Sequence, residues 1–130
     1  MSVELTYLAL VALVGLIVFL IAAALVNRDV GVDYAVGPRD QRIEPSSVSA
    51  GRMARAHANF VEWFTFFAPA VLLVELSGAS NSWTENAARA FFLARLVYPA
   101  IYFAGIPYLR TLAWLVGFVA TLILYLTPLI

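Results

Sequence analysis

The residues able to do chemistry in this 130-residue chain fall into two stripes. At about 100° per residue along a helix, Arg55, Asn59 and Glu62 lie at 0°, about 40° and about −20°, a narrow polar face that Arg52 and Phe66 extend. The same arithmetic puts Arg95, Tyr98 and Tyr102 within about 60° of one another. An ion pair between Glu62 and Arg95 is the simplest reading, because buried polar pairs fix helix register. It leaves Arg52, Arg55, Asn59, Tyr98 and Tyr102, more donors than a clamp requires, and a ligand bearing carboxylates suits the surplus. His57 lies about 200° away from the first stripe and reads as a helix–helix hydrogen bond; the two tyrosines read equally as ligand donors or as interface anchors. With no cysteine the chain has no disulfide, no thiolate nucleophile of its own and no cysteine metal site, so any sulfur chemistry must come from a substrate. All eight basic residues are arginine and eight acids cancel them, so no basic field exists to hold nucleic acid.

The elements that must position these stripes are membrane helices. Hydrophobic residues make up 63% of the chain and charged residues 12%, about half the share in a soluble domain. Such a surface needs lipid around it. Residues 5–26 carry no charge and are long enough to cross about 30 Å of hydrocarbon. The run is too long, and its start too acidic at Glu4, for a cleaved signal peptide, so it is expected to be retained. Residues 27–49 form the one long polar connection, with turn signals at Gly31, Gly37-Pro38 and Pro45. Ser46, Ser47 and Ser49 are candidate caps for a second span over about 50–76. After a polar loop over 77–85, a third span covers about 87–104, with a kink expected at Pro99, and a fourth covers 111–130. Runs of this length exclude barrel strands. The expected fold class is therefore an all-α, integral membrane four-helix bundle in one domain. Arg28, Arg39, Arg42 and Arg52 flank the first connection and Arg110 the third, so the positive-inside rule places both termini away from the cytoplasm.

Four motifs in order resemble one family. Arg55-Ala56-His57-Ala58-Asn59-Phe60-Val61-Glu62 resembles the R-A-H-x-N-x-x-E signature of the MAPEG superfamily, the membrane-associated proteins in eicosanoid and glutathione metabolism. Gly37-Pro38-Arg39-Asp40 is similar to the G-P-R-D of its bacterial members. Ala94-Arg95-Leu96-Val97-Tyr98 with Tyr102 is similar to the third-helix pattern, and Pro107-Tyr108-Leu109-Arg110 falls where a proline and an essential arginine open the fourth helix.

The resemblance implies a homotrimer in a bacterial inner membrane, with glutathione as co-substrate bound between protomers near the cytoplasmic face. It implies that Asn59, Glu62, Arg95, Tyr98 and Tyr102 hold glutathione with help from Arg55 and Arg28, and that Arg110 stabilises the thiolate. No metal is implied. Glutathione's two carboxylates, ammonium and thiol suit fixed arginines, one acid and hydroxyl donors. A thiol near pKa 8.5 is mostly protonated at neutral pH until a fixed cation lowers that value. A hydrophobic small-molecule acceptor would arrive laterally from the membrane lipids. Ala58 stands where some animal members have a basic residue, and Trp114 where some have tyrosine, which favours general detoxification over specialised eicosanoid synthesis. The function expected is a glutathione transferase, with peroxidase activity as an extension; the alternative is a non-catalytic lipid-binding or scaffold member. A small multidrug exporter is disfavoured, since 5–26 lacks the carboxylate it would need.

Overall fold

A computed structural model describes residues 1–130. It is a bundle of four long helices, α1 (Val3–Val30), α3 (Val48–Ser77), α4 (Ser82–Ala104) and α5 (Pro107–Leu126), with a short α2 (Val32–Val36) in the polar connection and a closing 3₁₀ turn, Thr127–Leu129. All four long helices are long and apolar enough to cross a membrane. α5 packs along α4 and α1 along α3, while α1 and α3 both also contact α4.

Local chemistry sets the ends. Ser2 caps α1 by accepting from the Leu5 amide, and Ser47, one of three candidate serines, caps α3 by accepting from Ala50. α3 and α4 each stop at a glycine in the left-handed region, Gly78 (φ 67°) and Gly105 (φ 76°), a conformation glycine adopts without penalty. α4 starts at Ser82, earlier than the expected 87, and runs through Pro99. Of the polar stretch 77–85 read as a loop, 82–85 form its first turn, because Asn81 and Thr84 form a reciprocal capping box that satisfies the free amides. Pro107 opens α5 at the position where its missing N–H costs nothing.

The core is a layer of apolar side chains centred on a parallel stack of Phe67 and Phe91, ring centroids 3.8 Å apart. Val11, Val71, Val74 and Leu124 complete it, all fully buried. Small residues let the helices close: a Cβ on Gly15 would sit 2.6 Å from the Phe60 ring. Glu4, noted in the sequence only as an early charge, is fully buried and accepts from the hydroxyls of Thr84 (2.6 Å) and Ser80 (2.8 Å). It clips the start of α1 to the start of α4 at the end of the bundle remote from the polar connection. Only 25 of the 130 residues are buried within the protomer, so most of the apolar surface must be covered by lipid or by other copies.

Candidate functional site

α3 and α4 run antiparallel, and their register decides which members of the two stripes meet. Arg52 donates to the Phe103 carbonyl (3.1 Å), Arg55 to the Tyr102 hydroxyl (3.1 Å), and Arg95 to the Asn59 side-chain carbonyl (2.8 Å). As α3 advances, its partners on α4 retreat, so Glu62 lies a further turn along, beyond the level of the Arg95 guanidinium. The expected Glu62–Arg95 ion pair therefore does not form, and Asn59 takes the arginine instead. A helical wheel reports angle but not height; Asn59 and Glu62 share a face yet differ by about 4.5 Å along the axis.

With no ion-pair or hydrogen-bond partner, Glu62 is exposed to a cavity of about 480 Å³ between α3, α4 and α5. Arg55, Asn59 and Glu62 line it from α3, Tyr98 and Tyr102 from α4, and Arg110, Thr111 and Trp114 from α5. The two tyrosine rings lie against each other, centroids 5.9 Å apart, and the Arg110 guanidinium stands 5.0 Å over the Tyr102 ring. A smaller cavity of about 190 Å³ adjoins it, sharing Arg55, Tyr102 and Arg110 and adding Arg52 beside Gly105. Three arginines thus gather at one end of the bundle, none with an acidic partner. That concentration of cations beside one free carboxylate suits a ligand with more than one anionic group and an amine.

Six of the eight expected ligand-binding or catalytic residues line this single cavity: Arg55, Asn59, Glu62, Tyr98, Tyr102 and Arg110. Arg95 does not. It is buried behind Tyr98, its guanidinium 4.6 Å over that ring and 5.7 Å over Phe91, with Gly117 close enough that a Cβ there would touch Nη2 at 3.4 Å. Its Nε and Nη2 find no acceptor in the protein. Arg28 lies outside the cavity of its own protomer, at the end of α1, 3.5 Å from Asp29, which itself accepts from Ser47 and so ties α1 to the cap of α3. His57 makes no helix–helix hydrogen bond; it tilts against Phe19, centroids 5.5 Å apart, in an apolar groove between α1 and α3. Thr111 was not anticipated as a lining residue, although its place directly after Arg110 at the start of a helix signals it.

Fold and site together define a multi-pass membrane protein with a polar, arginine-rich cavity near one end of its bundle. The MAPEG family model matches residues 5–130, and the chain belongs to that family, which includes glutathione transferases and also members without that activity. Comparison with curated proteins and with solved structures gives no match.

Proposed function

We propose that the protein is a membrane-bound glutathione transferase that activates the glutathione thiol for attack on lipophilic electrophiles. The observation carrying this reading is the single cavity in which Arg55, Arg110, two tyrosine hydroxyls and an unpaired Glu62 converge. Its volume, about 480 Å³, lies in the range of small-molecule sites. Arg55 and Asn59 suit a glutathione carboxylate, and Glu62, free of Arg95, suits the ammonium. Tyr102 accepts from Arg55, so its own hydroxyl proton remains to donate to the ligand. Arg95 acts from behind, holding Asn59 and the Tyr98 ring in place.

Arg110 is the residue assigned to the thiolate. Its fixed cation at the start of α5, with the positive end of that helix dipole, lowers the thiol pKa and raises the population of the nucleophile. The thiol proton passes to water, the sulfur lone pair forms the new C–S bond, and the leaving group departs with its bonding electrons.

The proposed assembly is a homotrimer. Arg55, Glu62 and Thr111 are exposed in one protomer, and charge at membrane depth needs protein or a water-filled cavity around it. A neighbouring protomer supplies that wall and brings its Arg28 toward the site. The setting proposed is a bacterial inner membrane, with the arginine-rich end at the cytoplasmic face and both termini on the other side.

Isothermal titration of detergent-purified protein with glutathione tests the reading, followed by turnover with an aryl halide. Saturable binding with thiolate absorbance near neutral pH is expected; no heat and no turnover would refute it.

A further inference from the structure

We infer that the small cavity at the turn between α4 and α5 binds a tetrahedral oxyanion, the phosphoryl group of a lipid headgroup or free phosphate, and that this anion turns the transferase down. It binds beside glutathione rather than in its place. The effect on turnover rests on the transferase reading; the binding does not.

Three guanidinium groups, Arg52, Arg55 and Arg110, wall this cavity of about 190 Å³, with Tyr102, Gly105 and Pro107 closing it. None of the three is in an ion pair. Arg52 uses one donor on the Phe103 carbonyl and Arg55 one on the Tyr102 hydroxyl, both at 3.1 Å, while Arg110 has the face of the Tyr102 ring. Each guanidinium carries five N–H donors, so most remain free. Gly105 makes the room: its φ of 76° suits glycine, and a Cβ there would lie 3.0 Å from the Arg52 guanidinium carbon and displace that group. At the same corner α5 begins without a side-chain cap, and the Tyr108 and Leu109 amides find no carbonyl. The helix therefore adds unfilled donors and the positive end of its dipole.

No acid lines this cavity. Glutathione carries an ammonium that needs one, and Glu62 lines only the larger cavity. The volume is also below the roughly 300 Å³ at which sites for whole small molecules begin, whereas at about 30 Å³ per water it takes a phosphate with part of its hydration shell. Convergent forked donors of fixed charge are the chemistry that holds a group with three or four oxygens. The turn joins two spans, so it lies at the level of the lipid headgroups, where phosphate is concentrated.

Arg55, Tyr102 and Arg110 line both cavities. An anion on the small-cavity side of Arg110 offsets the cation assigned to the thiolate. The thiol then returns toward its free pKa, and less nucleophile is present at neutral pH.

The test uses the full-length protein in dodecyl maltoside, with inorganic phosphate compared against potassium chloride of equal ionic strength to cancel screening. Calorimetry without glutathione should show saturable phosphate binding, weakened about tenfold or more in Arg52→Gln, which keeps a donor for the Phe103 carbonyl but loses the charge, and less in Arg52→Lys. Near neutral pH and at saturating glutathione, phosphate should lower kcat with an aryl halide and the bound-thiolate absorbance together by about three- to tenfold, while the KM for glutathione moves less than about twofold. Phosphatidylglycerol added to the micelles in phosphate-free buffer separates the sources: the same loss, relieved in Arg52→Gln, assigns the lipid headgroup, and an effect of inorganic phosphate alone assigns the free ion. No saturable response to either anion, or a response equal in Arg52→Gln, overturns the inference. So does a kcat that ignores bound anion, or a rise in KM at unchanged kcat, which would put the anion in the larger cavity. A protein that binds phosphate through Arg52 yet neither binds glutathione nor turns over an acceptor keeps the anion site and refutes the transferase reading instead.

Discussion

Pairing at the core of the site can be tested with two double-mutant cycles that share Arg95. One Arg95 nitrogen donates to Asn59 at 2.8 Å, while Nε and Nη2 have no acceptor in the protein. Asn59→Ala removes the one acceptor from a buried cation and should cost about 1–3 kcal/mol, the penalty for an orphaned donor. Arg95→Leu loses that bond and the contacts with the Tyr98 and Phe91 rings, about 1–2 kcal/mol more, but it also removes two unpartnered donors whose burial was already unfavourable. Its net effect should therefore be no larger than that of Asn59→Ala. The double variant Asn59→Ala/Arg95→Leu should be well short of the sum, with a coupling of about 1.5–3 kcal/mol, the value for a hydrogen bond to a charged group. Glu62→Gln combined with Arg95→Leu should couple by less than about 1 kcal/mol, because an exposed carboxylate that makes no contact with the arginine is screened. Reversible unfolding of the detergent-solubilised protein in increasing SDS supplies all the free energies. Additive effects for Asn59 and Arg95 alongside strong coupling for Glu62 and Arg95 would refute the register of α3 against α4.

Arg110→Ala should leave glutathione affinity within a few-fold while sharply lowering turnover; thiolate absorbance, present near neutral pH in the wild type, should then need higher pH, because losing the cation lets the thiol return toward about 8.5. Wild-type turnover with an unchanged thiolate titration would remove Arg110 from the chemistry. Native mass spectrometry should find a trimer, and a stable monomer or dimer as the main species would remove the intersubunit wall of the site. Thr84→Val should destabilise by about 2 kcal/mol, since that hydroxyl serves both the α4 capping box and the buried Glu4; thermal unfolding of the purified variant at wild-type temperature would contradict the clip.

Spans and stripes were legible in the sequence because both depend on quantities local to a helix. An uncharged run such as 5–26 states its own solvent, and the 3.6-residue period puts Arg55, Asn59 and Glu62 on one face whatever they pack against. The start of α4 was legible only in part: the polarity of 77–85 was seen, but a capping box and a loop use the same residues, and only the backbone path separates them. Tertiary structure alone decided which faces meet and at what height. The relative slide of α3 and α4 is set by packing of Phe67 against Phe91 and by small residues that let the backbones close, terms that depend on residues far apart in sequence. That slide gave Arg95 to Asn59 and left Glu62 facing the cavity. It also brought Arg110, the first charged side chain of α5, over Tyr102 at the end of α4, a contact no periodicity within either helix encodes.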